Sequence, residues 1–450
     1  MKSLDQIAAD LQGYDPQAMS VDAVHAFLQQ LVTPLAQTLE LPLLQALGRV
    51  LACDVVSPLD VPPHDNSAMD GYAFAGAQLA PVGAPLTLRV VGTALAGKAW
   101  SGTVGHSDCV KIMTGAIMPV GLDTVVPQEL VAGSGDSICI PVGLVVAGDN
   151  RRLRGEDLAR GRAALQKGEL LTPARIGLAA SLGIKTLTVF RPLRVAYFST
   201  GDEILSLGDA PREGAIFDSN RYTVWGLLTR LGCEVLDLGV VRDDPALLEA
   251  AFLDAASRAD AIITSGGVSV GEADFTKVLM KQLGDVAFWR IAMRPGRPMA
   301  VGRIFKTKIA SSARSSSVSS YQNESESTNT SDAGAIVFGL PGNPVAVMVT
   351  FLAFVRPALL RMMGARPTAQ PLLQAKSMES IRKKPGRTEY QRVWVSTAAE
   401  GSLQVRSTGN QGSGVLRSMA EANGLLVLNH SQGNVAVGDT VNVMMFDGVV

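Results

Sequence analysis

The stretch with the densest chemistry is Thr264-Ser265-Gly266-Gly267-Val268-Ser269-Val270-Gly271-Glu272-Ala273-Asp274. Glycines here let backbone amides approach an anion closely, and hydroxyls and two carboxylates stand among them. An apolar run (261–263) leads into the turn, and a helical pattern (275–283, closed by Gly284) follows. The local prediction is therefore strand, ligand loop, helix. Four other apolar runs end in similar loops: 195–198 in Ser199-Thr200-Gly201-Asp202-Glu203, and 235–241 in Arg242-Asp243-Asp244-Pro245. Run 286–293 ends in Arg294-Pro295-Gly296-Arg297, and run 335–338 in Gly339-Leu340-Pro341-Gly342-Asn343-Pro344.

Short apolar runs flanked by turn residues, with helix-length patterns in three of the gaps, predict a parallel sheet with crossover helices. Ligands of such sheets bind beyond the carboxyl ends of the strands, so all five loops are expected on one rim. Asp244-Pro245 reads as an N-cap and first helical residue before a helix over 246–258, and Asn343-Pro344 repeats the device. Two readings of Asn343 stay open: it caps its helix, or the helix N-terminus beside Pro341-Gly342 receives an oxyanion. The run 345–355 is the most apolar of the chain. It is interrupted by Arg356 and Pro357, falls short of the roughly 20 residues of a spanning helix, and reads as a buried helix.

A chain of 450 residues predicts three or four domains. Lys plus Arg number 40 against 41 Asp plus Glu, a net charge of −1, which gives no footprint for nucleic acid or an anionic membrane. The N-terminal residues lack an uninterrupted apolar core and read as the start of a cytoplasmic protein. Cys53, Cys109, Cys139 and Cys233 lie far apart, as do His25, His64, His106 and His430, so reduced structural thiols are expected rather than zinc or disulfides.

Elsewhere, residues 20–32 form an amphipathic pattern behind Ser20. Residues 62–73, Pro-Pro-His-Asp-Asn-Ser-Ala-Met-Asp-Gly-Tyr-Ala, suit neither helix nor central strand, and form either an Asx-turn cluster or a ligand loop. Residues 86–139 read as short strands, and Thr114-Gly115 within them as a plain turn or an anion contact. The cationic run Arg151-Arg152-Leu153-Arg154 reads as a solvated face that is also able to draw in a polyanion. A helical pattern covers 169–182. The Ser-rich residues 311–331 predict a mobile insertion between two strands. From 367 onward, alternating stretches (390–395, 403–406, 425–428, 440–445) predict a small β domain carrying Arg387, Glu389, Arg392 and Gln411-Gly412-Ser413-Gly414.

Read together and in order, residues 62–73, 113–116 with 119–125, 199–203, 265–275, 293–298 and 340–344 resemble the molybdopterin molybdenumtransferase family, which includes the gephyrin E-domain. The resemblance covers nearly the whole chain. It implies an α/β plus β multidomain fold: a discontinuous helical and extended dimerisation domain (1–50 and 149–190), a β-rich inserted domain (51–148), a parallel-sheet α/β molybdopterin-binding domain (191–366) and a C-terminal β domain (367–450). It also implies a homodimer, with each active site between one subunit's α/β domain and the other's β-rich domain. The implied reaction takes adenylyl-molybdopterin and molybdate as substrates, uses Mg²⁺ and releases AMP.

By the same resemblance Asp65 acts across the dimer interface, and Thr114 contacts substrate. Glu203, Asp243 and Asp274 serve Mg²⁺ and cleavage of the adenylate. Ser265, Gly266 and Gly267 cradle phosphate or pterin opposite Pro341, Gly342 and Asn343. Arg290, Arg294, Arg297, Arg387 and Ser413 belong to the oxyanion side. A molybdopterin-adenylating enzyme and downstream cofactor-handling proteins are the implied partners. The chain has arginine at 290, 294 and 297 where relatives often carry lysine, which offers a planar fork in place of a point charge. Ala346 replaces a serine that commonly follows Pro-Gly-Asn-Pro-Val. Two other readings compete: an adenylyltransferase or CinA-like nucleotide enzyme, which matches the α/β part alone, and a non-catalytic scaffold.

Overall fold

The structure is a computed structural model that describes residues 2–79, 84–134, 136–267, 274–306 and 334–446, with the side chains of 134, 274 and 275 excepted. Most of the 264–274 loop and the whole Ser-rich stretch 311–331 lie outside the described residues. The chain divides into two compact units, Met1–Leu39 with Gly48–Val50 and Val189–Val450, and Glu40–Leu47 with Leu51–Thr188.

The first unit is built on a six-stranded sheet. Its order is Glu234–Val241, Arg194–Thr200, Ala261–Ser265, Ala335–Leu340, Pro298–Ile304, Gly284–Arg290. The first four strands are parallel neighbours. Pro298–Ile304 runs antiparallel between Ala335–Leu340 and Gly284–Arg290, so the expected all-parallel sheet is instead mixed. Two antiparallel steps restore direction, and the five strands foreseen therefore still end on one rim. Gly284 closes no helix: the helix Asp274–Leu283 passes directly into the strand, and a Cβ on Gly284 would lie 1.9 Å from the Arg303 carbonyl oxygen. The strand needs glycine there because its neighbour's backbone is so close.

Helices start where capping chemistry allows. Asp244 accepts from the amides of Ala246 and Leu247, with Pro245 first in the helix Pro245–Arg258. Ser20 does the same for Val21–Leu31 through the Ala23 amide. Phe198 and Phe252 meet at 5.1 Å, edge to face, in the apolar layer between sheet and helices. The apolar run after Asn343 does not end at Arg356-Pro357. One helix, Pro344–Met362, continues through both, because a π-helical turn at Phe351–Val355 relieves the missing amide and ring clash of Pro357. It is long and apolar enough to cross a membrane, and most of it is buried inside the fold.

The same unit carries a five-stranded closed β-barrel. Thr388–Thr397, Leu403–Ser407, Leu373–Ser377, Thr440–Met445 and Gly424–Leu428 pair in a ring that closes where Gly424–Leu428 returns to Thr388–Thr397. Val393, Val405, Leu426 and Val443 fill it. Leu373–Ser377 had no strand signal of its own, being exposed and polar along one face. A short strand, Met293–Arg294, leaves the sheet region and pairs in parallel with the barrel strand, setting Arg294 opposite Glu389.

The second unit centres on a six-stranded sheet in the order Thr124–Pro127, Gly71–Phe74, Asp108–Ile112, Leu86–Ala94, Ser137–Ile140, Ala132–Ser134. The strands within 86–139 follow the glycine-punctuated pattern, whereas Gly71–Phe74, at the end of a loop expected to suit no central strand, lies between two antiparallel neighbours that supply its backbone bonds. The unit also holds the helix Pro173–Ser181. The helical pattern foreseen from 169 begins only at Pro173, behind the Thr172 cap that accepts from the Arg175 amide.

Candidate active site

At the centre of the first unit's rim, Ser265 ends its strand level with Ser199 and Leu340. Its hydroxyl is buried and bonds to the Tyr197 hydroxyl at 2.7 Å, and Tyr197 bonds Ser199 at 2.8 Å. Burial drives the Tyr197 phenol far above its ordinary range, so it stays protonated. The Ser265 side chain thus serves this internal cluster, and the Gly266 amide after it donates to the Leu340 carbonyl at 3.2 Å.

Gly266 and Gly267 have φ of +92° and +66°. A Cβ on Gly266 would sit 2.4 Å from the Thr200 carbonyl oxygen. Only glycine lets these two loops touch. Asn220, which the sequence reading did not single out, donates through Nδ2 to the Gly342 carbonyl at 2.7 Å and ties that loop to the helix Ser219–Arg230. Pro341 is buried, whereas Gly342 and Asn343 are exposed.

The acids gather on the neighbouring strand ends. Asp202 Oδ1 accepts from the Asp243 amide at 3.4 Å, and Glu203 folds back over Gly201. Partial burial, with the charges of Asp202 and Glu203, holds the Asp243 carboxyl above its ordinary range. Asp274 opens the helix Asp274–Leu283, and its side chain lies outside the described residues. Among the described residues no three His, Cys, Asp or Glu side chains form a ready metal cage.

The cations gather on the other side. The Arg290 amide donates to the Pro16 carbonyl, and the Arg290 carbonyl accepts from Met19, so the N-terminal segment fixes its backbone. The side chains of Arg290, Arg294 and Arg297 are exposed and form no ion pair among the described residues. Arg387 is less free: it pairs with buried Glu389 at 2.7 Å, which neutralises it. Ser413 meets the helix start directly. Its carbonyl accepts from the Val345 amide at 3.1 Å, and its hydroxyl accepts from Asn343 Nδ2 at 3.0 Å. Asn343 sits at the N-cap yet makes no capping bond with its side chain, so of its two readings the capping bond is not formed.

In the second unit, residues 62–73 fold against 113–118: the Met118 amide donates to the Asp65 carbonyl and the Gly115 amide to that of Ser67. Asp65 Oδ1 accepts from the Arg154 amide at 2.8 Å, and Arg151 lies 3.7 Å from its other oxygen. Thr114 is engaged by Asp70, which accepts from its amide at 2.6 Å and its hydroxyl at 2.7 Å. Those bonds hold the Asp70 carboxyl below its usual range. Each arginine of the 151–154 run has an acid, Asp65, Glu156 or Asp60 respectively, which favours the solvated-face reading over a polyanion site.

Comparison with known proteins places this geometry. Residues 19–183 match the MoeA N-terminal region (domain I and II), 196–361 a probable molybdopterin binding domain, and 374–446 the MoeA C-terminal region (domain IV). The chain is 39% identical to the molybdopterin molybdenumtransferase of Haemophilus influenzae over 421 residues, 93% of this chain and 96% of that protein. It is 35% identical to molybdopterin molybdenumtransferase 2 of Mycobacterium tuberculosis over 410 residues, 89% and 93% of the two chains. Its fold superposes on the crystal structure of the molybdopterin biosynthesis moeA protein from Pyrococcus horikoshii OT3 with a TM-score of 0.76 at 25% identity, covering 95% of this chain and all of that one.

Proposed function

The chain belongs to the molybdopterin molybdenumtransferase family, and we propose that it inserts molybdate into adenylyl-molybdopterin with release of AMP. The observation that carries the reading is the division of one sheet rim into an acidic and a cationic side. Asp202, Glu203 and Asp243 lie beyond two strands; Arg294, Arg297 and Asn343 lie beyond others, where Ser413 joins Asn343 from a barrel loop, with the Gly266-Gly267 turn between. A substrate holding both a phosphate anhydride and a tetrahedral oxyanion needs such a division.

Clustered carboxylate oxygens suit a hard divalent cation, and the Asp243 carboxyl is raised first by partial burial and then by the charges of Asp202 and Glu203 beside it. Glu203, Asp243 and Asp274 would hold Mg²⁺. When bound, the ion would neutralise charge on the phosphates. The backbone of 266–267 and 342 positions the phosphate or pterin portion, and the arginines with Ser413 orient the oxyanion. Asp65 and Thr114 complete the site across a homodimer interface. The four-part domain division, a cytoplasmic location, and exchange with a molybdopterin-adenylating enzyme and downstream cofactor-handling proteins belong to the same proposal.

The test is AMP release from adenylyl-molybdopterin by purified protein, with and without molybdate and Mg²⁺, for wild type and Asp274→Ala. Release that requires both and is lost in the variant supports the reading. Folded wild type that binds the substrate but releases nothing would favour a scaffold.

A further inference from the structure

Arg392 stands in the barrel strand Thr388–Thr397 and is 1% exposed, yet no carboxylate pairs with it among the described residues. Its guanidinium is spent on one loop. Nη2 donates to the carbonyls of Asn410 at 3.1 Å and Gly412 at 2.9 Å, Nη1 to that of Gln411 at 3.2 Å, and Nε to Ser418 Oγ at 3.1 Å. Its backbone joins in: the Arg392 amide donates to Gln411 Oε1 at 2.8 Å, and Gln411 Nε2 returns a bond to the Arg392 carbonyl at 3.0 Å.

Burying an unpaired charge is expensive, and a barrel that needed only stability would do as well with an apolar side chain. Three consecutive carbonyls held by one planar fork is a bond pattern that lysine, a point donor, does not reproduce. The next residue is Ser413, whose hydroxyl and carbonyl engage Asn343 and Val345. Arg294 lies near enough that its charge, after burial, helps push the Arg392 guanidinium down to about 10. Glu389, on the same strand, is already taken by Arg387. An anion bound between Arg294 and Ser413 would supply the missing negative charge.

We infer that Arg392 is a positioning residue for the oxyanion substrate: its fork sets the carbonyls of 410–412 so that Ser413 faces Asn343, and its unpaired charge favours an anion beside them. This rests on the molybdate-inserting function proposed above. Arg392 touches no reacting atom, so its loss should weaken molybdate saturation and leave the handling of adenylyl-molybdopterin intact.

The experiment measures AMP release against molybdate concentration, and the thermal shift of the protein alone on adding molybdate, for wild type, Arg392→Lys, Arg392→Gln and Ser418→Ala. In Arg392→Lys the KM for molybdate is expected to rise about tenfold, the scale of one lost charged hydrogen bond. Its kcat at saturating molybdate and its KM for adenylyl-molybdopterin should stay within about twofold. Arg392→Gln should also lose the molybdate-induced thermal shift, and Ser418→Ala, which spares the carbonyl contacts, should keep it. A folded Arg392→Lys with wild-type KM for molybdate overturns the inference, as does unfolding of both arginine variants, which would make the residue purely structural. Wild type that shows neither molybdate saturation nor a thermal shift would instead overturn the underlying functional reading.

Discussion

Asn343 Nδ2 donates to Ser413 Oγ at 3.0 Å, joining the start of the helix Pro344–Met362 to a barrel loop 70 residues later. The bond decides between two roles for Asn343. As an N-cap, Asn343→Asp would be neutral or stabilising, since Asp caps as well as Asn and favours the helix dipole. As a holder of Ser413 beside an oxyanion, the same change places a carboxylate against the substrate. The expected result is a KM for molybdate at least about tenfold higher with a stability change of under roughly 1 kcal/mol. Unchanged molybdate kinetics would leave the Asn343–Ser413 bond as a purely structural link between helix and barrel.

Asp243 makes the opposite kind of statement. Partial burial, Asp202 and Glu203 raise its carboxyl above the ordinary value, so the ionised form costs stability in the folded protein at neutral pH. Asp243→Asn should raise the apo protein's Tm at pH 7, by roughly 1 °C, while abolishing Mg²⁺-dependent AMP release. As pH falls through the raised value, wild type takes up a proton and gains the same relief. The two Tm curves should converge toward acid, and a gap that persists there would point to another cause.

What was legible in the sequence depended on range. The parallel strands and their caps follow from local pattern, because an apolar run or an Asp-Pro pair acts on its own segment. The antiparallel strand Pro298–Ile304 was not, since it begins at a proline directly behind the 294–297 loop. Resemblance named Ser265 as a ligand, but whether its hydroxyl faced the rim or Tyr197 depended on strand register, which residue type does not carry. Arg392 was visible as a residue and not as a role. Its carbonyl acceptors lie 18 to 20 positions on, Ser418 lies 26 on, and they become neighbours only when the barrel closes.

Gly266 tests the turn by sterics alone. At φ +92° an alanine is strained, and its Cβ would meet the Thr200 carbonyl at 2.4 Å, backbone that cannot swing away as a side chain would. Gly266→Ala should lose roughly 2 kcal/mol or more in urea denaturation and most of its binding of adenylyl-molybdopterin. A control at Gly121, φ +82° with nothing within 4 Å of a Cβ, carries the same backbone strain without the clash, and should lose less. Equal losses would mean that φ matters and the contact between loops does not.

Thr114 and Asp70 stand 44 residues apart, joined by bonds of 2.6 and 2.7 Å from amide and hydroxyl to one carboxylate oxygen. The hydroxyl proton is therefore already donated, and any substrate meets Thr114 Oγ1 as an acceptor. Thr114→Val keeps the shape and removes one of the two bonds. Because those bonds lower the Asp70 carboxyl, their stabilisation is present above the ordinary carboxylate pKa of about 3.9 and lost as pH falls through the lowered folded value. The variant should therefore melt below wild type at pH 7 and approach it in acid, and the Asp70 carboxyl, followed by carbon NMR, should titrate closer to its ordinary value. A Tm difference equal at pH 7 and in strong acid would show that the threonine acts through packing, with no part for Asp70.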